Sequence, residues 1–280
     1  MRTTLLASAA GIAAALAFAA PAAAQDMVED APFTGIHVGG SFGFDAQPND
    51  VGETIEFDRN LDGVFLDTVR TGTGANAFAP GFCNGAARSS ANQNCRNDRD
   101  DLSYSARVGA DYQYGNIVVG VIGEFGKSEI TDSVTAFSST PAFYTMTRSL
   151  DWEASIRGRA GYAANKTLFY GSFGAGYARI KNDFTTSNTA NAFTSTGDDN
   201  RWGINGGGGI EQKISKNFSI GVEYLYHQYN DDDYRVRATG AAGTPFTNAT
   251  NGGTAAGTDF RRNFDYFRWH SVRGTASFRF

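Results

Sequence analysis

Eight separate stretches between Gly35 and Phe280 carry apolar side chains at every second position. This period of two constrains the chain more than any other feature, because it is the pattern of strands with one apolar face. In the first stretch Ile36, Val38, Phe42 and Phe44 oppose Gly35, His37, Gly39, Ser41 and Gly43. In the second, Leu102, Tyr104, Ala106, Val108, Ala110 and Tyr112 alternate with Ser103, Ser105, Arg107, Gly109 and Asp111. Val119, Val121 and Phe125 oppose Gly120 and Glu124 in the third. Leu150, Trp152, Ala154, Ile156, Ala160 and Tyr162 oppose Asp151, Glu153, Ser155, Arg157 and Arg159 in the fourth. Residues 167–180 form a fifth whose two faces are both small and aromatic, so its inward side stays open. Trp202, Ile204 and Ile210 oppose Arg201, Asn205 and Glu211; Phe218, Ile220, Val222, Tyr224 and Tyr226 oppose Ser219, Gly221 and Glu223. Tyr266, Val272, Ala276, Phe278 and Phe280 close the chain, with Ser271, Arg273, Thr275, Ser277 and Arg279 between them.

Each stretch runs about 10 to 14 residues, longer than an ordinary strand. A tilted strand needs about 9–11 residues to cross a bilayer. Without long apolar helices, only a closed barrel satisfies every backbone group in lipid. The connections fit such a barrel. Turns at Tyr114-Gly115-Asn116, at 163–166 and at 214–217 are tight. The connections 45–100, 129–149, 181–200 and 229–265 are long, and short and long alternate strictly. Outer-membrane barrels place short turns inside and long loops outside. The expected fold is therefore all-β, an eight-stranded antiparallel transmembrane up-and-down barrel over 33–280 with long extracellular loops.

Residues 1–24 are expected to be a signal peptide. Arg2 is a positive n-region, 5–20 is uncharged and apolar, and Ala22-Ala23-Ala24 supplies a cleavage site before Gln25. Glycine (34), Phe (22) and Tyr (12) are abundant, whereas Pro is scarce (6), as suits strands rather than helices. The net charge of −5 leaves no basic surface for nucleic acid. Tyr112, Tyr114, Tyr162, Phe218, Phe278 and Phe280 gather at one end of the strands. Phe42, Phe44, Tyr104, Phe125, Trp152, Trp202, Tyr224 and Tyr226 gather toward the other. Rings so placed mark headgroup boundaries. The same rings would also suit the core of a β-sandwich with Glu153, Arg157 and Arg159 in solvent, and periodicity alone leaves that alternative open.

The last strand, Val272-Arg273-Gly274-Thr275-Ala276-Ser277-Phe278-Arg279-Phe280, ends on a terminal Phe. It resembles the signal read by the barrel-assembly machinery, carried by Phe278 and Phe280. Val222-Glu223-Tyr224-Leu225-Tyr226 resembles the penultimate strand of the small eight-stranded outer-membrane barrels. These are the OmpA-like transmembrane domain, the Opa-type proteins and the alphaproteobacterial "porin family" surface proteins. The resemblance covers about 33–280. It implies the outer membrane of a Gram-negative bacterium, with lipid, lipopolysaccharide and the assembly machinery as partners. It is silent on any extracellular partner. The peptidoglycan-binding domain of longer relatives is not expected after Phe280.

An eight-stranded barrel is wide enough only for side chains to fill it. The expected inward charges are Asp111, Glu124, Asp151, Glu153, Glu211 and Glu223 against Arg107, Arg157, Arg159, Arg201, Arg273 and Arg279. Six against six should pair, because an unpaired buried charge is costly. The expectation is a polar plug beneath exposed loops with a structural or surface-interaction role; the alternative is a narrow porin-like channel for ions or small solutes. No enzymatic activity is expected. His37 and Ser41 share a lumen face that lipid cannot reach, and the adjacent His270 and Ser271 point to opposite sides. His270 is expected at the lipid interface.

The first long loop holds the only cysteines, Cys83 and Cys95. An exported chain should join them, closing about 13 residues for roughly 3 kcal/mol. Asp58-Arg59-Asn60-Leu61-Asp62-Gly63 matches the first half of a calcium loop, with Asp58, Asn60 and Asp62 as oxygen donors. Position 12 is Val69, so the bidentate ligand is missing and a polar turn is the plainer reading. The acidic runs 98–101 and 231–233 read as solvated rim, with divalent ions bridging lipopolysaccharide as the alternative. Gly206 to Gly209 lie within a strand and imply close backbone packing.

Overall fold

The computed structural model describes residues 31–48, 52–92, 94–197 and 199–280; the expected signal peptide lies outside them. The described residues form fourteen strands: β1 (Gly35–Ala46), β2 (Ile55–Asp58), β3 (Gly81–Asn84), β4 (Asp101–Tyr114), β5 (Ile117–Ser128), β6 (Thr131–Ser138), β7 (Ala142–Ala164), β8 (Thr167–Thr186), β9 (Asn191–Thr196), β10 (Asn200–Lys213), β11 (Phe218–Asn230), β12 (Arg235–Gly240), β13 (Thr258–Arg262) and β14 (Tyr266–Arg279). Eight of them close a ring in the order β1-β4-β5-β7-β8-β10-β11-β14, every neighbour antiparallel. These are the eight stretches legible in the sequence. No described helix is long and apolar enough to cross a membrane.

The tight turns fall where expected. Ile117 pairs with Tyr114 across the β4–β5 turn, and Thr167 with Ala164 across the β7–β8 turn. Gly115 (φ +56°) and Asn165 (φ +55°) supply the left-handed residue each reversal needs. At this end Phe280 donates its backbone N–H to Ile36, sealing the seam between first and last strands.

Outward residues are apolar and exposed. Ile36, Val108, Val119, Ile156, Phe173 and Ile204 form a band around the wall. At its upper margin Phe125, Trp152, Tyr177 and Trp202 touch in succession across four neighbouring strands, with ring centroids 4.8–5.9 Å apart. The fifth barrel strand, β8, resolves the open face: Leu168, Tyr170, Ser172, Ala178 and Ile180 are buried, whereas Phe169 and Phe173 are exposed.

One expected face is corrected. The register of β7 shifts between Leu150 and Trp152. This bulge takes Asp151 out of the ladder, so Leu150 points into the lumen and Trp152 out of it. Asp151 pairs with exposed Lys181 (3.0 Å) and is not a lumen charge.

The long connections are folded rather than irregular. β7 starts, and β8 ends, well beyond the barrel, their pairing continuing to Tyr144 and Thr186. With β6 and β3 they make one sheet, and β2-β13-β12-β9 make a second. Tyr144, Phe184 and Met146 of the first meet Phe260, Phe193 and Val236 of the second, joined by Phe57, Phe78 and Phe246. Phe260 lies 5.9 Å from Tyr144, 6.2 Å from Phe184 and 4.9 Å from Phe57. The cap is therefore a small sandwich with an aromatic core, standing on the barrel mouth. The Cys83–Cys95 disulfide ties β3 to the strand-like segment that follows it.

Candidate functional site

Two regions present functional groups: the barrel lumen and the cap above it. The lumen is filled in layers. At the short-turn end Phe33, Val118, Ala163, Leu168 and Tyr170 form an apolar floor. Above it Arg159 donates to Asp111 (3.0 Å from Nε) and Glu211 (2.8 Å), and Arg279 reaches the same two carboxylates (2.9 and 3.4 Å). His37 lies 3.3 Å from Asp111. The next layer centres on Glu223, which accepts from Arg107 (3.3 Å), Arg157 (3.4 Å), Arg273 (2.9 Å) and the Tyr170 hydroxyl (3.1 Å). Glu124 shares Arg157 (2.9 Å) and Arg273 (2.7 Å). Every expected lumen residue except Asp151 and Arg201 is thus brought together, and the balance becomes five acids against five arginines.

Glycines make the room. A Cβ on Gly120 would sit 2.0 Å from the Asp111 carboxylate, and one on Gly176 would sit 2.0 Å from the Tyr229 hydroxyl. Gly209 makes room likewise, a Cβ there lying 2.9 Å from the Tyr170 hydroxyl, whereas at Gly207 the close approach is to backbone, 2.0 Å from the Tyr224 carbonyl oxygen.

The third layer contains Glu153 and Ser271, which the sequence placed inward, and His227, whose part in it the sequence did not show. Ser271 Oγ lies 3.0 Å from His227 Nε2, and His227 Nδ1 lies 3.1 Å from Glu153. If Nδ1 donates to the carboxylate, Nε2 accepts from the serine hydroxyl. This is the order of a hydrolytic Ser-His-acid chain. All three groups line a cavity of about 20 Å³, room for about one water. His227 stacks on Trp269 at 4.7 Å, and Trp269, Phe267, Tyr229, Ile180, Leu150 and Ile130 form an apolar ceiling over it. Neither His–Ser pair weighed from the sequence forms. Ser41 bonds Ser105 rather than His37, and His270 faces outward against the Tyr224 hydroxyl (2.6 Å).

A second charged cluster joins barrel to cap. Arg148 and Arg262 are both buried. Arg148 donates to Asp132 (2.6 Å), and Arg262 to Glu53 (2.6 Å) with Asp132 at 2.9 Å. Arg201 belongs here and not in the lumen, pairing with Asp231 at 3.0 Å and with Asp233. Burial works against the charge of Asp132, but Arg262 and Arg148 outweigh it and hold this carboxyl below the usual range. Asp98 accepts from the Ser133 N–H (2.8 Å) and is pushed up to about 7 by burial and by the charge of Asp132. The acidic runs are therefore partly structural, which corrects the solvated-rim reading: Asp231 is buried, and Asp100 caps the Gln47 N–H (2.8 Å).

At Asp58–Gly63 the side chains serve the turn. Asp58 accepts from the N–H groups of Leu61, Asp62 and Gly63 (2.6–3.2 Å), and Asn60 donates to Asp62 (2.8 Å). Among the described residues no group of three or more His, Cys, Asp or Glu could hold a metal ion.

At the membrane-distal end of the cap, three turns enclose a cleft of about 270 Å³. They are the β6–β7 turn, the β8–β9 turn and the β12–β13 connection. Tyr144 and Phe246 form its floor.

Comparison with known proteins gives the family. The chain is 31% identical over 122 residues to the 31 kDa outer-membrane immunogenic protein of Brucella melitensis, covering 43% of this chain and 50% of that one. It is 29% identical over 139 residues to the 22 kDa outer membrane protein of Rhizobium leguminosarum, covering 49% and 58%. The matched part spans about half the length of these relatives. Among solved structures it is similar to the outer membrane protein OprG of Pseudomonas aeruginosa, with a TM-score of 0.49, 12% identity and coverage of 91% and 99%. Residues 10–244 match the family described as "Outer membrane protein beta-barrel domain". A closed eight-stranded ring, an apolar outer band and this match lead to one assignment: the chain belongs to the outer-membrane protein β-barrel domain family and resides in the outer membrane of a Gram-negative bacterium.

Proposed function

We propose that the barrel is a support and that the extracellular cap is the working part, a surface-interaction module held in lipopolysaccharide-bearing membrane. The observation that carries this reading is the layered filling of the lumen. An apolar floor, two ionic layers, the His227 layer, an apolar ceiling and the charged joint succeed one another beneath the cap. In this reading the aromatic margin contacts lipid and lipopolysaccharide, and Phe278 and Phe280 are read by the assembly machinery. Ser271, His227 and Glu153 serve as a structural chain, since their cavity holds about one water. Asp58, Asn60 and Asp62 organise a turn and need no calcium.

Planar-bilayer conductance tests this, with refolding confirmed first by a heat-dependent gel-mobility shift. Native protein should be silent. Arg157→Ala removes the guanidinium shared by Glu124 and Glu223 and should give brief, small openings. Steady channels from native protein would instead favour a narrow passage for ions or small solutes.

A further inference from the structure

The distal cleft has a lining unlike that of the lumen cavity. None of its side chains is charged. Its polar groups are hydroxyls and amides, among them Ser138, Thr140, Thr189 and Thr244, set over Ala142, Pro245 and the floor rings. Two asparagines fix its shape. Asn188 accepts from the N–H groups of Ala190 and Asn191 (2.8 and 3.2 Å) and donates to the Tyr144 hydroxyl (2.8 Å), tying the β8–β9 turn to β7. Asn191 donates to Thr244 Oγ1 (3.0 Å) and to the Thr239 carbonyl (3.2 Å), tying the same turn to β12 and its following loop. A cleft whose turns are already cross-linked loses little freedom when a ligand enters.

We propose that this cleft binds a neutral saccharide unit, one or two rings in size. The inference rests on the surface-interaction reading and deepens it. A charged ligand would leave its counter-ions without finding an opposite charge among the lining residues. A wholly apolar ligand would strip water from hydroxyls and amides and return no hydrogen bonds. An uncharged sugar presents both surfaces at once: C–H faces for Pro245 and Ala142, hydroxyls for the threonines and serines. At about 270 Å³ the cleft lies just below the range of drug-sized sites, which suits so small a ligand. Its place at the tip of a sandwich, on turns held by a rigid scaffold, is where recognition commonly sits.

Saturation-transfer NMR on the refolded protein in a zwitterionic detergent tests the assignment. The probes are glucose, galactose, mannose, N-acetylglucosamine, maltose and lactose, with glucuronic acid and a sulfated disaccharide as charged controls. At least one neutral sugar should give transfer and no charged control should do better. Ala190→Trp, in an exposed turn, should fill the cleft, weaken that sugar at least tenfold and leave the gel-mobility shift unchanged. Undiminished binding by this variant, or a preference for charged sugars, overturns the proposal. Absence of transfer from every neutral sugar also overturns it. Conductance separates the two readings. A silent protein that binds no sugar loses the saccharide and keeps the surface module, whereas steady native channels remove the module itself.

Discussion

The lumen and the cap are two cores of one chain, built on opposite plans. The barrel turns its apolar side chains outward and encloses five arginines with five carboxylates, of which Asp111, Glu211 and Glu223 are buried and Glu124 and Glu153 half-buried. The cap buries Phe57, Phe78, Tyr144, Phe246 and Phe260 in an aromatic core. On the outer cap surface Arg235 and Arg261 stack over Phe65 (4.8 and 4.5 Å), and Arg261 pairs with Glu56 (2.8 Å). The difference teaches that each strand face follows the solvent beyond the wall. Lipid draws apolar groups outward and leaves the interior to mutually satisfied polar ones, whereas water does the reverse. The plan switches within single strands: β7 carries Arg157 and Arg159 inward below the bulge and Tyr144 and Met146 into the cap core above it.

The comparison breaks most severely at Glu223. Glu223→Ala leaves Arg107, Arg157 and Arg273 facing one another with Glu124 as their remaining carboxylate. Breaking a buried ion pair costs about 3–5 kcal/mol, and here three cations lose an acceptor together. The expected outcome is loss of the heat-resistant folded form on gels. A normal shift would mean that the ionic layers do not hold the barrel.

Phe260→Ala probes the other core. Burial of this ring among Phe57, Tyr144 and Phe184 predicts a cost of about 3–5 kcal/mol, confined to the cap. The gel-mobility shift should persist while limited proteolysis cuts between 52 and 92 and between 235 and 262. Loss of the shift would show that the cores fold as one unit. A smaller, local effect is expected from replacing Cys83 and Cys95 with Ser. About 3 kcal/mol of loop-closure entropy is returned, so cleavage should quicken near 83–95 and nowhere in the barrel.

The barrel was legible and the cap was not, for one physical reason. A strand facing lipid on one side repeats its pattern over ten or more residues, so β1, β4, β5, β10, β11 and β14 declare both their span and their inward charges. The cap strands are four to eight residues long, and those of the second sheet find partners far away: Asp58 pairs with Asp259 and Arg235 with Thr196. No local signal specifies such pairings. β8 hid its inward face because glycine opposite Tyr170 and Tyr229 lets rings point into the lumen as well as out. Asp151 was misplaced because a bulge reverses alternation without changing composition. The His227–Ser271 contact depends on the register between β11 and β14, which the whole β12–β13 segment separates in sequence.

The smallest expected effect lies at the joint where the two plans meet. Asp98 is partly buried beside Asp132, and its carboxyl is pushed up to about 7 by burial first and by that neighbouring charge second. In the unfolded chain the same group ionises near 4. Between these values the unfolded state gives up its proton while the folded state keeps it, so this group lowers stability as pH climbs from about 4 to about 7 and adds no further change above that. Asp98→Asn retains an oxygen to accept from the Ser133 N–H and removes the titration. At pH 8 the variant's cap should be more stable than native by roughly 1–2 kcal/mol, shrinking to almost nothing at pH 4. Hydrogen exchange at the cap amides of β6 and β13, followed across this range, measures the difference. Equal protection of variant and native at pH 8 would remove Asp98 as the titrating group, and a difference spread into the barrel strands would mean that the joint transmits between the two cores rather than insulating one from the other.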